Sequence, residues 1–175
     1  MRNSFLWGAI LFSAVWVFVS GVSADEPRAS PDICESEVGA HYAIVEVGGF
    51  KDRIGRLRVE LYPNTPEDFL APGGKLRAEG KVFARVEIDV PQDGNAHVCV
   101  SLPQPNIYAL AVLHDRNANG KLNPFFDGFG FPNNPALGFG KPDVTEVTFT
   151  AAGGPVVIPI ILNYWNGIRA RPLRH

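Results

Sequence analysis

VFARVEIDVPQDGNAHVCVSL, residues 82–102, decides the fold class. Val82, Ala84, Val86, Ile88 and Val90 alternate with Phe83, Arg85, Glu87 and Asp89. Successive side chains of a strand point to opposite faces, so this period of two reads as a half-buried strand. PQDGN, residues 91–95, breaks the pattern with Asp93-Gly94 at its tip, a turn signal. Alternation then resumes in Ala96, Val98, Val100 and Leu102. The expectation is a β-hairpin of residues 82–90 and 96–102.

The same period recurs on both sides of this stretch. In RLRVELY (56–62), Leu57, Val59 and Leu61 oppose Arg56, Arg58 and Glu60. HYAIVEV (41–47) reads as a strand, and IYALAVL (107–113), apolar on both faces, reads as a central one. VTEVTFT (144–150) and VVIPIILNY (156–164), joined by AAGGP, predict a second hairpin. Pro159 has no N–H for a ladder, so the last strand lies at an edge or carries a bulge. NTPEDFL (64–70) predicts one helical turn, with Thr65 as cap, Pro66 at the first helical position and Glu67 and Asp68 at the positive end. APGG then ends it. About seven short strands with turns between them predict an antiparallel β-sandwich of immunoglobulin or prealbumin type with one short helical turn. A closed barrel is the alternative.

Composition sets the class of protein. Of 175 residues, 46% are hydrophobic and 19% charged, which excludes wholesale disorder. A net charge of -2 offers no basic field for nucleic acid. The N-terminus has the form of an export signal: Arg2, an apolar core over 5–20, and small residues Val22-Ser23-Ala24 before Asp25. Residues 3–24 carry no charge, so an uncleaved anchor is the rival. With cleavage the expected organisation is a signal peptide over 1–24, an arm over 25–40, a sandwich domain over 41–164 and a tail over 165–175. The expected location is periplasmic or secreted, with no stable membrane anchor. In an oxidising compartment the two cysteines, Cys34 and Cys99, have one intramolecular pairing, and the expectation is a disulfide tying the arm to the sheet.

Between the central strand and the next lies a connection of about thirty residues, long enough to suggest a working loop. HDRNANGKLNPFFDGFGFPNN (114–134) opens it. Asp115, Asn117 and Asn119 are two apart and Gly120 follows, which is how a chain begins to wrap calcium. Lys121 would add its carbonyl, Asn123 its side chain, and Asp127 would stand in for the carboxylate missing at Phe126. With so few charges the ion would bind weakly, at roughly 10⁻⁴ to 10⁻³ M. The alternative is that these Asp and Asn side chains cap their own turns. Further along, Phe129, Phe131, Asn133 and Asn134 are candidate ligand-binding residues; the alternative is that the phenylalanines form the loop's own small core.

YALAVLHDRNANGKLN followed by DGFGFPNN resembles the signature of domain-of-unknown-function family number 2141, exported bacterial proteins of uncharacterised role. GFKDRIGRLRVELY (49–62) resembles that family's first hairpin. Asn123, Asp127 and Pro132 depart from the family pattern, which has Asp, Glu and Ser there. The resemblance implies a β-sandwich and export, and no established activity.

No catalytic residue is expected. His114 and Asp115 are adjacent on a strand and point to opposite faces, which does not suit a dyad. No G-x-S-x-G, H-E-x-x-H or phosphate loop is present. The expected function is a non-catalytic binding or structural module of the cell envelope, with residues 114–140 as its working end. A calcium-stabilised carbohydrate- or peptide-binding domain is the alternative, and an enzyme ranks behind both. The tail, with Arg169, Arg171 and Arg174, reads as a frayed, solvated end.

Overall fold

The computed structural model describes residues 34–35, 40–138, 140–167 and 169–173. The expected leader, almost all of the arm, Phe139, Arg174 and His175 lie outside the described residues. The strands are β1 (Tyr42–Gly48), β2 (Arg56–Pro63), β3 (Ala84–Asp89), β4 (Ala96–Ser101) and β5 (Asn106–Asp115). They continue with β6 (Gly128–Gly130), β7 (Thr148–Ala151), β8 (Val156–Ile161), β9 (Asn163–Asn166) and β10 (Arg169–Pro172). A short helix, α1, covers Gly73–Ala78, and a 3₁₀ turn covers Val144–Val147. The class is all-β and the architecture sandwich-like, as the alternation predicts. A small sheet runs β4-β1-β8, and a large sheet runs β10-β9-β6-β5-β2-β3 with β7 also on β5. Within these residues no helix is long and apolar enough to cross a membrane.

The apolar faces read from sequence meet between the sheets. Val45 and Val47 of β1, Val98 and Val100 of β4 and Ile158 and Ile160 of β8 pack against Leu57, Val59 and Leu61 of β2 and Leu110 and Val112 of β5. Full burial of each such side chain stabilises the fold by about 1.5–3 kcal/mol. A second, smaller core lies on the outer face of the large sheet. There Tyr62, Ala109 and Ala111 are covered by Phe69, by Leu76 of α1 and by Val144 and Val147 of the 3₁₀ turn. That second layer explains why β5 is apolar on both faces.

Several expectations about connectivity are overturned. Residues 82–90 and 96–102 do not form a hairpin: β3 pairs with β2, while β4 pairs with β1 in the other sheet. Likewise β7 pairs with β5, and β8 pairs with β1 in parallel, so AAGGP joins two sheets and the sandwich is not wholly antiparallel. Residues 49–62 are not a hairpin either, since they cross from β1 to β2 between the sheets. In each case the turn chemistry reverses the chain but leaves the choice of partner to the packing beyond it.

Four smaller corrections follow the same logic. Residues 144–147 are a 3₁₀ turn, whose entry is fixed by Asp143 accepting from the N–H of Thr145. Residues 156–164 break at Leu162, which is buried and donates its N–H to Gly48 O as the chain changes sheets. APGG leads into α1 instead of ending a helix; burial of Leu76 outweighs the weak helix propensity of Gly73 and Gly74. The tail is not frayed over its described part, because β10 pairs with β9 from Arg169 to Pro172. Pro159 does lie in an edge strand, as expected, since β8 ends the small sheet.

Candidate functional site

The alternation of β5 sends His114 inward and Asp115 outward. His114 is fully buried at the end of the main core, with its ring edge-on to Phe50 at 5.3 Å. Its Nε2 lies 2.9 Å from Ile54 O, a carbonyl that only accepts, so Nε2 carries the proton. Nδ1 is then the acceptor for the Tyr164 hydroxyl at 2.7 Å, and that oxygen accepts in turn from the N–H of Lys51 at 3.1 Å. The chain of bonds ties the β1–β2 connection to β5 and β9. Burial holds the His114 pKa below its ordinary value and raises that of Tyr164 to about 12, so both stay neutral near pH 7. Beside them Asp52 pairs with Arg116, with Nε at 2.9 Å, and this pairing holds the Asp52 carboxyl below the usual range.

The neutral, buried His114 makes stability depend on acid. Its folded pKa lies below the unfolded value, so the unfolded chain takes up the proton first as pH falls. Stability from this group is complete above about pH 6.5 and is lost as pH drops below it. Lowering pH from 7.5 to 5.5 is expected to reduce stability by at most about 1.4 kcal/mol, the ceiling set by the ordinary His value, above the range where carboxylates titrate. Urea melts at the two values check this. The loss should vanish in His114→Leu, whatever that variant's baseline stability; a loss of equal size there would assign it to another group.

Asp115 closes the loop that follows β5. Its Oδ1 accepts from Asn119 N–H at 3.1 Å and its Oδ2 from Gly120 N–H at 2.7 Å. Asn117 and Asn119 do the same for the N–H groups of Asn119 and Lys121, at 3.2 and 2.8 Å. Asp127 accepts from the N–H groups of Arg116 and Asn123, at 3.0 and 2.7 Å. Asn123 also donates its side-chain amide to Lys121 O at 3.3 Å. The six residues expected around calcium thus fall into two turns, one centred on Asp115 and one on Asp127. Each carboxylate is engaged by backbone N–H groups. Nowhere among the described residues do three His, Cys, Asp or Glu side chains gather as a metal site.

The rest of the loop fastens itself to both sheets. Gly128 lies under the Tyr164 ring, where a Cβ would stand 2.5 Å from ring carbons. Asn133 donates to Glu146 O and Thr148 O, at 3.1 and 2.9 Å. Asn134 accepts from Ile161 N–H at 2.7 Å and donates to Pro159 O at 3.4 Å. Its amide thereby acts as a substitute strand along the open edge of β8, a position that otherwise invites pairing with another chain. Both asparagines adopt positive φ, 63° and 46°, a conformation Asn tolerates.

Phe129 and Phe131 are placed differently from the two asparagines. They line a cavity of about 530 Å³ on the outer face of the large sheet, together with Leu113, Leu137 and Trp165. That is the size range of small-molecule sites. Residues 70–73 form one rim, and residues 137–138 and 140–142 another. Arg58, Glu60 and Arg85 form a charged wall, which sequence reasoning missed. Alternation alone reads them as the charged outer face of ordinary strands. The available signal was the apolar outer face of β5, Ala111 and Leu113, which requires a cover. On that wall Arg58 Nε lies 2.6 Å from Glu87, and Arg85 Nη2 lies 2.6 Å from Glu60. The Tyr62 hydroxyl donates to the second Glu60 oxygen at 2.7 Å. Asn134 instead lines a separate cleft with Asn163 and Arg169, and the disulfide expected at Cys34 and Cys99 is present, on the far side of the sandwich.

A family model described as an uncharacterized protein conserved in bacteria, DUF2141, matches residues 45–158. No curated protein and no solved structure matches the chain.

Proposed function

The chain belongs to the DUF2141 family of uncharacterised bacterial proteins, and from its geometry we propose that it is a non-catalytic, exported binding module. The 530 Å³ cavity, roofed in part by the 114–140 loop, is its ligand seat. The observation that supports this reading is that the loop's polar side chains are spent on closing the loop, whereas Phe129 and Phe131 face the cavity. Among the described lining residues the one hydroxyl beside a carboxylate is that of Tyr62 on Glu60, and burial together with that carboxylate raises its pKa, which makes it a poor nucleophile, so binding accounts for the site better than catalysis does. Export fits the disulfide, which persists in oxidising compartments.

A neutral fluorescent probe tests the seat. N-phenyl-1-naphthylamine should brighten on the folded domain. Leu113→Glu, which places a carboxylate on the cavity floor opposite Arg58 in the β2–β5 register, should weaken that binding at least about tenfold. Its melting temperature should stay near that of the parent, because Leu113 lies outside the main core. Equal binding by both proteins would place the seat elsewhere.

In this module Asp115 and Asp127 are loop-closing residues, and calcium is not required. Millimolar calcium followed by chelator is expected to move the melting temperature by less than about 1 °C. Saturation of a site at a hundred times its dissociation constant would instead add about 2.7 kcal/mol, a rise of roughly 5–10 °C. A rise of that size, abolished in Asp115→Ala, would restore the ion.

A further inference from the structure

We propose that the ligand class of this cavity is an apolar monoanion: a carboxylate carried on an aliphatic or aromatic body. The proposal rests on the binding reading above and adds the charge of the ligand. It starts from how the charges of the cavity cancel. Arg58 is paired with Glu87, and Arg85 with Glu60. Lys141, on the rim, is held otherwise. Its Nζ donates to two carbonyls, Pro66 O at 2.6 Å and Phe69 O at 3.2 Å, and stands 5.8 Å from the Phe69 ring. These partners fix the ammonium without neutralising it. Among the described residues, no carboxylate lies within ion-pair distance of Lys141. An ammonium has three N–H donors, so one is left beyond the two carbonyls.

The cavity therefore combines a mostly apolar body with one uncompensated positive charge at its mouth. A ligand with an apolar body gains by covering Leu113, Leu122, Phe129 and Trp165, and an anionic head gains from Lys141. A polyol fits less well. Its hydroxyls would face leucines on one side, and on the other a wall whose donors and acceptors already serve each other. A cationic head would meet Lys141 as a like charge.

Three ligands with one tail separate the effects: decanoate, decanol and decyltrimethylammonium. Trp165 lies in the cavity wall, and Trp7 and Trp16 lie in the expected leader, so residues 25–175 report through a single tryptophan. Decanoate is expected to bind about fivefold more tightly than decanol, the upper end for a solvent-facing ion pair, and the ammonium more weakly than either. Lys141→Gln should bring decanoate to the level of decanol and leave decanol unchanged. The preference should also shrink as salt rises. Equal binding of all three tails, or a decanoate preference that survives in Lys141→Gln, would overturn the charge assignment and leave the binding seat standing. Binding of none of them, with N-phenyl-1-naphthylamine also dark, would overturn both.

Discussion

Gly55→Ala is expected to destabilise the domain by about 5 kcal/mol or more, enough to leave most of the chain unfolded or insoluble at 37 °C. Gly55 closes the crossing from the small sheet to the large one, with φ of +78°. A Cβ built there stands 2.1 Å from Asp115 O and 2.7 Å from Arg116 C and Cα. All three are main-chain atoms, so no rotamer change relieves the overlap. The backbone must part at the point where Ile54 O accepts from His114 and Asp52 holds Arg116, and both contacts are lost with it. Gly80→Ala supplies the control. Its φ is +68°, and nothing lies within 4 Å of its added Cβ. It carries only the left-handed backbone cost, about 1–2 kcal/mol. Denaturant melts of the two variants should therefore differ by at least about 3 kcal/mol. If they agree to within 1 kcal/mol, the backbone approach at Gly55 is looser than described.

That crossing also shows where sequence reasoning stops. The inward faces were legible because alternation is local: Leu57, Val59 and Leu61 are all fully buried, and Arg58 and Glu60 are not. The sheet to which each strand belongs was not legible. Asp93-Gly94 and Gly153-Gly154 reverse the chain equally well within a sheet or between two sheets. Only the distant partners decide, such as β1, which takes both β4 and β8.

The candidate site divides along the same line. His114, Asp115 and Asp127 were conspicuous by type and spacing; the partners of the two carboxylates are near in sequence, whereas those of His114, Tyr164 and Ile54, are 50 and 60 residues away. Phe129 and Phe131 were singled out, yet their cavity depends on Arg58, Arg85, Lys141 and Trp165, which come from separate elements. No local pattern brings those four together. Lys141 looks like any surface lysine until its two carbonyl partners, more than seventy residues away in sequence, are known.

Loss of the Cys34–Cys99 bond is the second large effect, about 4 kcal/mol. The bridge closes a loop of 65 residues, and the chain-entropy model gives that figure as an upper value for its effect on the unfolded chain. Cys34 and Cys99 are buried with Tyr42 and Ile44 on the outer face of the small sheet. Without the bond, the covalent tie that seats Cys34 against Tyr42 and Ile44 is lost, and those two side chains gain access to water. A drop of about 10 °C in melting temperature is expected for Cys34→Ala/Cys99→Ala relative to the oxidised parent, and a similar one on adding reductant. A change under about 2 °C would show that the bridge restrains little in either state. Ligand binding serves as the internal check. The cavity lies on the outer face of the large sheet, across both sheets from the bridge, and shares no residue with the cysteine cluster. Well below the melting point, the double variant should therefore bind N-phenyl-1-naphthylamine as the parent does. A parallel loss of binding at low temperature would mean that the two faces are coupled through the core.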